Sequence, residues 1–210
     1  MKLSHSHKFL FIAIPKTGTT SVGNILANFS SKVGRYKGDQ HVTYSFLKES
    51  LKTKLDFDEY FKFSVVRNPW DRLVSVFHFL NINNESTELV APRTRNRLFN
   101  RHIKKYKGNF KDFVRGVDID QILHTREQYS FVCNDKYDIE LNFICKLENL
   151  QEDFDTICDK IKIPHQQLPH KNKSKHKHYS EYYDEETKSI VAEKYAKDIE
   201  YFGYKFGEDL

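Results

Sequence analysis

Phe9-Leu-Phe-Ile-Ala-Ile14 is an unbroken apolar run, and together with the polar segment after it this run restricts the fold more than any other feature of the chain. A run this short and this apolar predicts a strand buried on both faces, as the strands of parallel sheets are. Pro15-Lys-Thr-Gly-Thr-Thr-Ser21 then breaks the run with polar residues. Val22, Ile25, Leu26 and Phe29 recur at i, i+3, i+4 and i+7, the stripe of an amphipathic helix. Strand, short polar loop and helix make the βα half of a nucleotide-binding unit.

The pattern recurs further on. Phe61, Phe63 and Val65 alternate with Lys62 and Ser64, and Val66 and Arg67 close this second strand. Asn68 suits an N-cap, Pro69 the first helical position and Asp71 the third, so a helix start is signalled there. Trp70, Leu73, Val74 and Phe77 line one face of that helix. Two βα units predict an α/β fold: a three-layer sandwich around a central parallel sheet of about four or five strands, P-loop-like in its nucleotide binding. Leu141–Leu147 reads as a third strand, and Phe110–Val117, Leu150–Ile161 and Asp184–Phe202 read as helices. Asn81–Tyr106 reads as a loop or irregular helical insertion, and Pro164–Tyr179 as a basic, His-rich loop.

At 210 residues, with no internal repeat or clear linker, a single domain over 1–210 is expected. The 39% hydrophobic and 14% aromatic content fills a core and excludes a disordered chain, despite 30% charged residues. A net charge of +5 suits a polyanionic small molecule as well as nucleic acid. No apolar run approaches the ~18 residues of a membrane span, and no signal peptide is evident, so no membrane partner is expected. Cys133, Cys145 and Cys158 lack CxxC spacing, as free thiols in a reducing cytoplasm would.

The first loop is built to hold phosphate. Amides at a helix start point toward an anion, and the helix dipole favours its charge. Gly18 permits close backbone approach, Thr17, Thr19, Thr20 and Ser21 bring hydroxyl donors, and Lys16 brings a mobile cation. The nucleoside triphosphatase loop GxxxxGK[ST] places Lys after its second Gly, whereas Lys16 precedes Gly18 here. No strand ending in Asp stands ready to hold Mg²⁺. This loop therefore suits an anion that needs no metal.

Ile14-Pro-Lys-Thr-Gly-Thr-Thr-Ser21 resembles the 5′-phosphosulfate loop of the PAPS-dependent sulfotransferases, in the carbohydrate-modifying branch that includes heparan sulfate 2-O-sulfotransferase and small bacterial relatives. Phe63-Ser-Val-Val-Arg-Asn-Pro-Trp-Asp-Arg-Leu-Val-Ser75 resembles that family's 3′-phosphate motif, with Arg67 at the strand end and Ser75 on the helix. Leu147-Glu-Asn-Leu150 and the tail Tyr179–Phe206 extend the likeness along nearly the whole chain.

The resemblance implies transfer of a sulfuryl group from 3′-phosphoadenosine 5′-phosphosulfate (PAPS) to an acceptor hydroxyl, in particular that of a carbohydrate, leaving the 3′,5′-bisphosphate PAP. It implies no metal. Such a displacement needs positioning, leaving-group stabilisation and removal of the acceptor proton. Lys16 is the expected leaving-group cation. His41, in Gln40-His-Val-Thr-Tyr44, resembles the family's base; His78 is the second choice and Glu148 a weaker one. Arg67 can grip a phosphate bidentately, with Ser75 adding a hydroxyl.

Lys171–His178 admits metal, nucleic-acid and donor-closing readings. The resemblance favours the last, with Ser174 and Lys175 meeting phosphate, so no nucleic-acid partner is expected. Arg93-Thr-Arg-Asn-Arg97 hints at an anionic acceptor. A bacterial or viral cytoplasmic enzyme fits these features. An ATP- and Mg²⁺-dependent phosphoryl transferase and a non-catalytic binding module remain open as other classes.

Overall fold

A computed structural model of the chain describes residues 1–31, 41–85, 106, 108–169 and 177–208. Along it run β1 (Lys2–Ser4), β2 (Phe9–Ile12), α1 (Thr19–Leu26), α2 (Tyr44–Leu51), β3 (Phe61–Val66) and α3 (Pro69–Glu85). Next come α4 (Phe110–Gly116), α5 (Tyr129–Val132), β4 (Phe143–Lys146), α6 (Leu150–Ile161), α7 (Glu185–Lys194) and α8 (Ala196–Phe202). The chain forms two compact units. One holds Met1–Arg67, Gln128–Lys173 and Asp209–Leu210; the other holds Asn68–Glu127 and Ser174–Glu208.

The first unit carries a four-stranded sheet in the order β1-β2-β3-β4. β2, β3 and β4 are parallel, with Phe11 opposite Phe63 and Val65 opposite Cys145. β1 lies antiparallel to β2, Leu3 facing Leu10, so the sheet is mixed and the expectation of a purely parallel sheet is corrected. The reason is chain length: residues 5–8 can close a hairpin, whereas a parallel return needs a crossover of about a dozen residues. Phe9, Phe11, Phe63, Val65 and Cys145 form one face of the sheet. Val22 and Leu26 of α1 and Phe154, Ile157 and Ile161 of α6 cover it. Phe11 and Phe63 stack with centroids 5.2 Å apart. Each such ring contributes roughly 1.5–3 kcal/mol by leaving water. The alternate residues Leu10, Ile12 and Ile14 are buried as well, which is why the run reads as continuously apolar.

Besides β1, two elements of this unit lie outside the sequence reading. α2 buries Tyr44, Leu47 and Leu51 and is capped by Thr43, whose Oγ1 accepts from the Phe46 amide at 3.3 Å. The Glu140 carboxylate anchors it: Tyr44 donates at 2.8 Å, Lys48 at 2.5 Å and Asn134 at 2.7 Å. Lys48, above all, holds the Glu140 carboxyl down to about 2. α5 is a single turn and too short for a periodic signal.

The second unit is helical. Trp70, Leu73, Val74 and Phe77 of α3 meet Phe110, Phe113 and Val114 of α4 and Val191 of α7 in one apolar cluster. α3 starts as its sequence predicts: Asn68 Oδ1 accepts from the Trp70 amide at 3.1 Å, and the Asn68 carbonyl from the Arg72 amide at 2.8 Å. The tail folds onto that start. Asn68 Nδ2 donates to the Lys205 carbonyl at 3.2 Å, and Tyr183 donates to the Trp70 carbonyl at 2.9 Å.

The single helix expected over Asp184–Phe202 is two helices. Tyr195 separates them with φ −120° and ψ 31°. Its buried hydroxyl donates to the Thr125 carbonyl at 2.6 Å, a contact that competes with continued helical geometry. Among the described residues no helix is long and apolar enough to cross a membrane.

Candidate functional site

The loop after β2 makes a tight left-handed passage into α1. Lys16 has φ 67° and Gly18 φ 75°. A non-glycine residue held there costs about 1–3 kcal/mol, so the surroundings of Lys16 must impose it. Gly18 forms the N-cap without a side chain, and its carbonyl accepts the Ser21 amide at 3.0 Å. A Cβ on Gly18 would stand 2.7 Å from Leu147 Cδ1. Glycine is therefore needed for conformation, and any Cβ would in addition oblige the Leu147 side chain to shift, besides the close approach of an anion expected from the sequence. The amides of Thr19 and Thr20 open the helix, where no intrahelical acceptor exists, and no acidic side chain occupies the first turn.

The loop hydroxyls divide into two kinds. Thr17 is fully buried and donates to the Ile14 carbonyl at 3.1 Å. Ser21 donates to the Pro169 carbonyl at 2.9 Å. Both hydroxyls thus shape the loop from within. Thr19 and Thr20 make no side-chain hydrogen bond to another described residue, and Thr20 is exposed.

Arg67 follows β3 directly, and its guanidinium donates to the Lys16 carbonyl at 3.3 Å. Parallel pairing of β2 with β3 carries both residues to the carboxyl ends of adjacent strands. This is the edge at which open α/β sheets bind ligands. The main chain of Arg67 is gripped in turn by the buried Gln128 side chain: Oε1 accepts the Arg67 amide at 2.8 Å, and Nε2 donates to the Arg67 carbonyl at 2.8 Å. Nothing in the sequence marks Gln128, because its partners are main-chain atoms of a residue distant along the chain.

His41 joins the same edge. Its Nδ1 lies 2.7 Å from the Ala13 carbonyl. A carbonyl can only accept, so Nδ1 carries the hydrogen and the basic lone pair of the neutral ring sits on Nε2. Lys16, His41 and Arg67, separated by 25 and 26 positions in the chain, are thereby gathered at the ends of β2 and β3. Glu148 lies in the 3-10 turn Leu147–Asn149 immediately beyond β4.

Ser75 belongs to the helical unit, on α3. It is 7% exposed, and its hydroxyl makes no hydrogen bond to another described residue. His78, also on α3, has Nε2 2.9 Å from the Tyr182 hydroxyl and its ring edge-on to that of Tyr182. Ser174, Lys175 and Arg93–Arg97 fall outside the described residues. Cys133, Cys145 and Cys158 are buried thiols, and burial raises the Cys158 thiol to about 11. Among the described residues, no three His, Cys, Asp or Glu side chains are grouped as metal ligands.

Comparison with known proteins adds a family. Residues 1–205 match the model described as the sulfotransferase family. Carbohydrate sulfotransferase 10 of Gallus gallus is 30% identical over 130 residues, covering 52% of this chain and 35% of that protein. The Homo sapiens protein of the same name is 29% identical over 127 residues, with the same coverage. The Xenopus laevis protein is 25% identical over 243 aligned positions, covering 97% of this chain and 66% of that protein. The chain thus spans about a third of the length of the first two. Among solved structures, a mouse sulfotransferase complexed with PAP aligns with 95% of this chain and 87% of its own, at TM-score 0.47 and 15% identity.

Proposed function

The chain belongs to the sulfotransferase family, and on that premise we propose that it is a PAPS-dependent O-sulfotransferase acting on a carbohydrate hydroxyl. The observation that carries this reading is the meeting of Arg67 with the Lys16 carbonyl, 3.3 Å apart, at the strand edge where His41 also lies. A helix start free of acidic residues, two cationic side chains and an imidazole are what a phosphosulfate donor and a hydroxyl acceptor require together. The relatives named carbohydrate sulfotransferase 10 support a sugar as acceptor.

In this reading the α1 amides and the Thr19 and Thr20 hydroxyls bind the 5′-phosphosulfate, and Arg67 binds the 3′-phosphate. The resemblance also gives Ser75 a part in donor binding, its hydroxyl being a hydrogen-bond donor to phosphate. A bond forms between the acceptor oxygen and sulfur while the bond from sulfur to the bridging phosphate oxygen breaks. Lys16 neutralises the charge left on that oxygen, and His41 Nε2 takes the acceptor proton. The products are the sulfated acceptor and PAP.

Calorimetry tests the reading. PAP should bind far more tightly than AMP, and Arg67→Ala should remove most of the difference, because a charge-assisted hydrogen bond is worth about 1.5–3 kcal/mol. Equal affinity for the two nucleotides, or tight binding of ATP with magnesium in their place, overturns it.

A further inference from the structure

We infer that Gln128 is the positioning residue of Arg67: a side-chain amide that replaces a neighbouring strand at the point where the sheet ends. The inference rests on the donor-binding reading of Arg67 given above. The ladder between β3 and β4 reaches Val66, opposite Lys146, and stops one residue short of Arg67. Beyond a ladder's end, main-chain polar groups in a poorly hydrated place need other partners. Gln128 supplies both. It is fully buried, and its one planar amide accepts from the Arg67 N–H and donates to the Arg67 C=O, each at 2.8 Å. Residues facing each other in a hydrogen-bonded pair of antiparallel strands exchange the same two bonds.

Only one residue type meets this geometry. Asn is a methylene shorter, and Glu turns a second acceptor toward the Arg67 carbonyl. The amide is itself held in place, since the Gln128 carbonyl accepts the Phe131 amide at 3.0 Å as α5 begins. The chain also leaves the sheet unit after Arg67 and re-enters it at Gln128, so the amide ties the exit to the return. Arg67 is a long side chain with many rotamers, and its grip on an anion depends on where its Cα is held. With φ and ψ fixed by Gln128, the guanidinium is directed to the Lys16 carbonyl and the phosphate loop.

The test is a double-mutant cycle read by calorimetry with PAP and AMP as probes. Gln128→Met keeps the length of the side chain and removes both hydrogen bonds. It should lower the preference for PAP over AMP on the order of tenfold, the size of coupling within one hydrogen-bonded network. In an Arg67→Ala background the same change should leave the preference where Arg67→Ala alone put it. An unchanged preference in Gln128→Met, or an equal loss with and without Arg67, refutes the positioning role and leaves the donor reading standing. A wild-type protein without preference for PAP overturns the donor reading and this inference with it. Should Gln128→Met fail to fold, Gln128→Asn, neutral and polar but a methylene too short to reach both main-chain groups, takes its place with the same outcomes.

Discussion

The Arg67 guanidinium rests on the Lys16 carbonyl at 3.3 Å, so the residue that ends one strand steadies the loop that follows its neighbour. Lys16 is held with φ 67°, a conformation a lysine does not choose unaided. The contact ties the strained residue to the neighbouring strand's end.

Lys16→Ala should lower kcat by a larger factor than it weakens donor binding. In the proposed reaction the ammonium acts most as the bridging oxygen becomes anionic, a charge absent from the bound ground state. Single-turnover rates and the donor dissociation constant, measured side by side, check this. A loss confined to affinity would reassign Lys16 to ground-state binding.

His41→Ala should retain the fold and nucleotide binding while losing about 10²–10⁴-fold in transfer rate, the usual cost of removing a positioned base. The wild-type rate should fall on the acid side of its profile along a single ionisation, because protonated imidazole cannot accept the acceptor's proton. Comparison with His78→Ala decides between the two histidines. A dead His78→Ala beside an active His41→Ala would move the base to α3.

Glu140 makes stability dependent on acid. Its carboxyl titrates at about 2, against 4.5 for an unperturbed group, chiefly because Lys48 donates to it. A depressed folded-state value means stabilisation is complete above the unfolded value and disappears as pH falls through the folded one. Glu140→Gln should therefore melt below wild type at neutral pH, by roughly 1 kcal/mol after allowance for solvent screening. The gap should close between about pH 4.5 and about pH 2. Thermal melts of both proteins across that range give the comparison.

Gly18→Ala combines two faults: a left-handed φ of 75° and a Cβ 2.7 Å from Leu147 Cδ1. The backbone fault alone costs about 1–2 kcal/mol. Leu147→Ala in the same chain should relieve the collision and not the backbone strain, so the double variant should recover only part of the melting shift, measured relative to Leu147→Ala alone. Full recovery would show that packing, and not the loop's conformation, demands glycine.

Local signals in this chain are clear where they exist. The buried strand over Phe9–Ile12, the cap and first turn of α3 at Asn68-Pro-Trp-Asp71, and α6 over Leu150–Ile161 all follow from periodicity and end chemistry. α2 carries a signal that reads clearly only once the helix is seen, because Thr43 caps it and Tyr44, Leu47 and Leu51 fall on one face. The break at Tyr195 carries none. Propensity there favours a continuous helix, and it yields to a hydroxyl that reaches the Thr125 carbonyl. The antiparallel edge strand β1 is too short to hold a pattern of its own.

The sequence by itself determined the residue types of the site and their order: a lysine and hydroxyls around a glycine, then a histidine, then an arginine at a strand end. These are fixed by covalent chemistry and local spacing, which need no knowledge of distant contacts. Only the tertiary structure decided which of them meet. Parallel pairing of β2 with β3 sets the Arg67 guanidinium on the Lys16 carbonyl, and the Ala13 carbonyl selects the tautomer of His41. The same level of structure sent the Thr17 and Ser21 hydroxyls to main-chain carbonyls and gave a buried glutamine the task of holding Arg67. Most of these pairings join residues tens of positions apart through single hydrogen bonds, and a hydrogen bond leaves no periodic trace in the residues it connects.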